Sequence, residues 1–201
     1  YHSSTKLITI VTGMHLSNAY GNTHELITQD GFEINWKVEM LLGSNSPASV
    51  SKSVGLGTIG FTDAFESLVP DLVILLGDRF EVFAAATAAT ILGIPIAHLH
   101  GGEVTIGAYD DYLRHAMTKM ASYHFTSNEI YRRRVIQMGA FPEVVWNVGG
   151  FGLDGIFNSK KMDKLEFEQK INFKLGERNL LVSFHPETAT NADTAQQIDE
   201  L

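Results

Sequence analysis

The stretch "DLVILLGDRFEVFAAATAATILGIPIAHLH", residues 71–100, decides the fold. It opens on a short apolar run, 71–78, which ends in a glycine and an aspartate. An alanine-rich run, 81–93, follows and stops at Gly93, a common C-terminal helix signal. A second apolar run, 94–100, closes on histidines. Apolar run, helical run and apolar run in close succession read as a strand, a crossover helix and a parallel strand.

The same alternation extends both ways. "KLITIVTG" (6–13) reads as a buried strand, and a helical pattern between Ser49 and Leu68 is halted by Pro70. Beyond residue 100 come a helix over Tyr109–Ala121, a strand "SYHFTS" (122–127), a helix over Asn128–Met138 and a strand "EVVWNVG" (143–149). Repeated strand–helix units predict an α/β fold with a doubly wound, mostly parallel Rossmann-like sheet over 1–157. Residues 158–178 are charged and read as a connecting segment, and "NLLVSFHPET" (179–188) reads as a further strand. Residues 179–201 are therefore expected to begin a second Rossmann-like domain. One strand and one helix cannot bury a core, so the chain is expected to be a fragment.

Composition narrows the classes of function. With 201 residues and 44% hydrophobic content the chain can bury a sizeable core. A net charge of −8 argues against a nucleic-acid partner, which requires a basic face. It leaves local phosphate binding by a few arginines and helix N-termini open. There is no cysteine, hence no disulfide framework and no thiolate site. No apolar run is long enough to span a bilayer. A soluble, cytoplasmic protein without a membrane partner is the expectation.

Ligands of open parallel sheets bind where loops leave the carboxyl ends of strands. Here those loops are "TGMHLS" (12–17), "GDRFE" (77–81), "HLHGGE" (98–103), "TSNE" (126–129), "VGGFGLD" (148–154) and "FHPET" (184–188), and most ionisable candidates fall on them. Each candidate has a bland alternative. Asp78 and Glu81 have the spacing of a helix-capping box. Arg79 fits either a phosphate or the surface. Asp110 and Asp111 suit the first turn of a helix, where carboxylates complement its dipole. Arg132, Arg133 and Arg134 read as solvated surface. "GLGTIG" (55–60) matches a dinucleotide fingerprint, but "SPASVSKSV" precedes it where a strand is required, so it is set aside. His98 and His100 alternate along a strand and cannot share a metal without a bend. A site from His98, Glu103 and Asp110 is the weaker reading.

Taken together, "TGMHLSNAYGNTHELITQDGFEI", "LLGDRFEVFAAATAA", "PIAHLHGGEVTIGAYDDYLRHAMTKMASYHFTS" and "SFHPET", in this order, closely resemble the hydrolysing UDP-N-acetylglucosamine 2-epimerases of sialic-acid and related pathways. The resemblance covers essentially the whole chain. It implies the N-terminal half of a two-domain, glycosyltransferase-B-like architecture with its first strand and most of its second domain missing. It also implies a UDP-sugar substrate, no nicotinamide or redox cofactor, no required metal, and a homo-oligomer.

By motif, Asp78 and Asp110 would be acid/base carboxylates, with Asp111 adjacent and Arg114 orienting them. Arg79 would contact the diphosphate, His185 would close over the cleft, and His15 would line it. Many members read H-I-E-G-G-E where this chain has "HLHGGE", so His100 stands where they carry a catalytic glutamate. The role passes to His100, to Glu103, or to both, and an imidazole is competent for it. Bacterial relatives with the H-x-H form act on UDP-2,4-diacetamido-2,4,6-trideoxyglucose, which makes that sugar the alternative to UDP-N-acetylglucosamine. A UDP-sugar glycosyltransferase and a UDP-binding module without turnover are the readings from other classes.

Overall fold

The structure is a computed structural model, and it describes residues 5–44, 46–184 and 194–200. Its strands are β1 (Ile10–Thr12), β2 (Trp36–Val38), β3 (Val73–Leu76), β4 (Ile96–Leu99), β5 (Tyr123–Thr126) and β6 (Val145–Asn147). Its helices are α1 (His24–Gln29), α2 (Pro47–Leu68), α3 (Phe80–Ile91), α4 (Asp110–Met120), α5 (Glu129–Gln137), α6 (Gly152–Asn158), α7 (Lys164–Ile171) and α8 (Thr194–Asp199). All strand pairs are parallel, as the alternation requires. β1 and β2 form one pair, and β3-β4-β5-β6 form a separate sheet in sequence order.

Local chemistry sets the ends of these elements. Ser46 accepts the Ser49 N–H at the start of α2, with Pro47 in the first turn. Asn128 caps α5 in the same way through the Tyr131 N–H at 3.0 Å. The alanines of α3 let α2 and β3 approach it closely, and Ala84, Ala85, Ala86, Ala88 and Ala89 are buried. "GLGTIG" lies in the middle of α2, which removes the dinucleotide reading. A Cβ at Gly57 would sit 2.6 Å from Met40 Cε, and one at Gly60 would sit 2.7 Å from Val38 Cγ1. Those glycines serve helix packing.

Right-handed crossovers between strands that follow one another across a sheet place their helices on one face. Val73, Leu75, Ile96 and Val145 on that face are buried. On the other face of β3, Ile74 and Leu76 are exposed, so this strand is buried on one side only, against the expectation of a fully buried run. The expected strand at 179–188 also does not form over its described part, 179–184, where Leu180 and Leu181 are exposed. A parallel strand takes its hydrogen bonds from neighbours, and no described strand lies there to supply them. The remainder of that stretch, with His185, lies outside the described residues.

Candidate active site

Asp78 follows β3 through Gly77, whose φ of +86° turns the chain off the strand. Its carboxylate does not cap α3, because that helix has Arg79 at its N-cap and no side-chain cap bond. Instead Asp78 Oδ2 accepts from Nη2 of Arg114, a buried residue of α4. The same Nη2 donates to Thr105 Oγ1 at 3.0 Å, and Nη1 lies 3.6 Å from Asp111 Oδ1. Asp111 also accepts the Thr105 N–H at 2.9 Å, so it ties the loop ahead of α4 rather than capping the helix. The buried guanidinium thus donates through Nη2 to one carboxylate and one hydroxyl and lies within ion-pair range of a second carboxylate.

Asp110 is held in a different state. Burial raises its carboxyl pKa first and the negative charge of Asp78 raises it further, against the opposing pull of Arg79 and Arg114. Two neighbouring carboxylates whose environments differ are the arrangement that acid/base chemistry uses. Arg79 pairs with Glu81 through two contacts of 3.2 Å and reaches Met14 Sδ at 3.7 Å. Glu81 is buried under the loop that follows β1, where a Cβ on Gly13 would come 2.6 Å from its Cγ. His15, on that loop, is exposed and bonded to Thr23 at 2.7 Å; no contact joins its side chain to the carboxylates.

His98 of β4 and His100, just beyond its end, differ in their surroundings. His98 is fully buried, and its Nε2 bonds the Gly77 carbonyl at 2.8 Å. A carbonyl only accepts, so Nε2 carries the proton and Nδ1 faces Thr118 Oγ1 at 3.2 Å. Burial lowers its pKa and keeps it neutral. With both nitrogens spent on the protein, His98 does not group with Glu103 and Asp110 as metal ligands, and it braces the peptide that carries Asp78.

His100 turns into the left-handed region at φ +64°, a strained state for a non-glycine residue that recurs at functional sites. Its N–H donates to the Phe125 carbonyl at 2.8 Å. Its Nδ1 lies 2.9 Å from Glu103 Oε1, and its ring lies tilted at 33° against that of Phe151, with centroids 5.2 Å apart. Of the glycines that follow, Gly102 presses against α5, where a Cβ would meet the Tyr131 carbonyl at 2.7 Å, and Gly101 faces His98 and Thr118. Arg134 of the same helix donates to the Gly102 carbonyl. Arg132 Nε donates to the Val145 carbonyl at 2.9 Å, so only Arg133 of the basic run is the solvated surface that sequence implied.

The structure therefore gathers Asp78, Asp110, Asp111, Arg79 and Arg114 around one electrostatic centre, and His100 with Glu103 beside it on the next strand end. It leaves His15 apart. Glu81, Thr105, Ser127 and Arg134 were not read from the sequence as site residues; Glu81, in D-x-x-E spacing on a strand-end loop, and Ser127, a hydroxyl on another such loop, carried a signal, and Arg134 was read as surface. Among the described residues no group of three or more acidic and histidine side chains is placed to hold a metal, and no helix is long and apolar enough to cross a membrane.

Comparison with known proteins gives this geometry its context. Over 191 residues the chain is 42% identical to the polysialic acid biosynthesis protein P7 of Escherichia coli, covering 95% of this chain and 49% of that protein. It is 38% identical to a Campylobacter jejuni GDP/UDP-N,N'-diacetylbacillosamine 2-epimerase (hydrolyzing), covering 96% of this chain and 50% of the relative. A Legionella pneumophila UDP-N,N'-diacetylbacillosamine 2-epimerase (hydrolyzing) is 43% identical, with coverage of 88% and 46%. The chain thus spans about half the length of the curated relatives it matches.

Among solved structures, the Neisseria meningitidis UDP-GlcNAc 2-epimerase bound to UDP-GlcNAc superposes with a TM-score of 0.68 at 18% identity, over 85% of this chain and 44% of that one. At that identity the likeness shows the fold. The family model described as UDP-N-acetylglucosamine 2-epimerase matches residues 1–201. With the match running the whole length of the sequence, the chain belongs to the UDP-N-acetylglucosamine 2-epimerase family.

Proposed function

We propose that this chain carries acid/base residues of a hydrolysing 2-epimerase acting on a UDP-linked 2-acetamido sugar. The observation that carries the proposal is the meeting of Asp78 and Asp110 at adjacent loops, one neutralised by buried Arg114 and the other with its carboxyl pKa raised. One group removes the proton at C2 of the sugar while UDP leaves C1 with the bonding pair, giving a glycal. Water then adds across the double bond, its oxygen at C1 and a proton at C2 on the opposite face. The products are the free 2-epimer and UDP. Arg79, half-exposed at the N-terminus of α3, is placed to receive the departing diphosphate. In the full-length protein, 1–157 supplies this half of the site, 158–178 connects, and His185 approaches from the second half.

UDP-N-acetylglucosamine, yielding N-acetylmannosamine, is the first substrate to test. The diacetamido sugar is the second, favoured by His100 and by the names of the relatives at 38% and 43% identity. In assays of UDP release by the full-length protein, Asp78→Asn and Asp110→Asn should each lose at least about a hundredfold in kcat, the scale of a placed acid/base group. Asp110→Asn should keep the thermal unfolding midpoint, because burial already disfavours the charge of that carboxyl, and Asp78→Asn keeps an oxygen acceptor for Arg114 and should still fold. A variant that releases UDP at the rate of the unaltered protein removes that residue from the machinery. A requirement for a sugar acceptor would replace epimerase with glycosyltransferase, and binding of UDP without turnover would leave a binding module.

A further inference from the structure

Ser127 follows β5 and lies beside the loop that carries His100 and Glu103. Its hydroxyl donates to Glu103 Oε1 at 2.6 Å, and that same oxygen lies 2.9 Å from His100 Nδ1. A carboxylate has no proton to give, so the contact requires the hydrogen to be on Nδ1. His100 Nε2 is buried and has no hydrogen-bond partner. An unpaired buried nitrogen is costly and marks a group held ready for something absent. The backbone that carries the ring is held in place, because the His100 N–H donates to the Phe125 carbonyl, and Gly102 packs against α5 and accepts from Arg134 of that same helix.

We infer that Ser127 is a positioning residue that, through Glu103, fixes the His100 proton on Nδ1 and presents Nε2 to the substrate. The inference rests on the acid/base reading above and assigns its parts: His100 exchanges the proton, Glu103 orients the ring, and Ser127 orients Glu103. A proton taken from substrate or water adds at Nε2, and the bonding pair stays with the carbon or oxygen it leaves. Nδ1 keeps its proton throughout, and none passes to Ser127. The arrangement matches the way a second hydrogen bond sets which imidazole nitrogen is free.

The test uses the full-length protein with 15N-labelled histidine, the His100 signals being identified by their loss in His100→Gln. The unaltered protein should show the Nδ1–H tautomer at His100, the reverse of free histidine in water. Ser127→Ala should lose that preference and Ser127→Thr, which keeps the hydroxyl, should retain it. With UDP-N-acetylglucosamine or its 2,4-diacetamido analogue, Ser127→Ala should lower kcat roughly tenfold, part of the about 10²–10⁴-fold an acid/base group contributes, with KM little changed. Threonine should restore the rate. An alanine variant with the same tautomer, or the same kcat, overturns the inference, as does a threonine variant that restores neither. If the unaltered protein turns over neither sugar, the functional reading falls, and the ring spectra alone still decide for or against the relay.

Discussion

Asp78 owes its position to side chains on other elements. Arg114 of α4 takes its carboxylate, while His98 of β4 holds the carbonyl of the residue before it. The same division recurs at His100, where Glu103 holds the ring and Arg134 holds the turn. Arg134→Ala should destabilise the fold by about 1–3 kcal/mol, the range for a lost hydrogen bond from a charged donor to a part-buried carbonyl. Arg133→Ala, in an exposed pair with Glu129, should stay within about 0.5 kcal/mol of the unaltered chain. Urea denaturation of the two variants makes the comparison, and equal midpoints would return Arg134 to the surface. The sequence showed three consecutive arginines and no way to separate them. What separates them is the angle at which each leaves α5, and helix rotation is fixed by packing. The pairing of Asp78 with Arg114 was equally beyond local pattern, since D-x-x-E spacing satisfies a cap as well as it satisfies a site.

At the level of elements, β4 and β5 lie side by side and pair His98 with His124 across the ladder. Both are buried, and burial is the first cause of their lowered pKa values; His98 and Lys119 add to it at His124, which falls to about 4. The unfolded chain binds protons at these histidines below about pH 6.5, while the folded chain resists them. Stability therefore rises with pH wherever the unfolded state holds more protons. The urea midpoint should fall as pH drops from about 6.5 towards 4, and His124→Gln should remove part of that fall. A midpoint level across this window, or an unchanged slope in the variant, would contradict the account. Strand and helix positions were legible in the sequence because apolar runs, Asn128, Pro70 and Gly93 act locally. Which face of a strand is covered was not, because that depends on crossover direction, and Ile74 and Leu76 look no different from Val73 and Leu75.

Over the whole molecule, the parallel α/β architecture puts its chemistry where strand-end loops converge, and three adjacent strands, β3, β4 and β5, suffice to bring Asp78, His100, Glu103 and Ser127 together. The chain spans about half of its curated relatives, so the proposed reaction belongs to the full-length protein. Proton exchange at C2 is its central claim. The most direct measurement is proton NMR of the full-length protein with UDP-N-acetylglucosamine, and then with the 2,4-diacetamido sugar, in D2O. The account predicts free UDP and a 2-epimer that carries deuterium at C2. A released sugar with protium at C2 would mean that the bond to that hydrogen never broke, and the roles given to Asp78, Asp110 and His100 would be wrong.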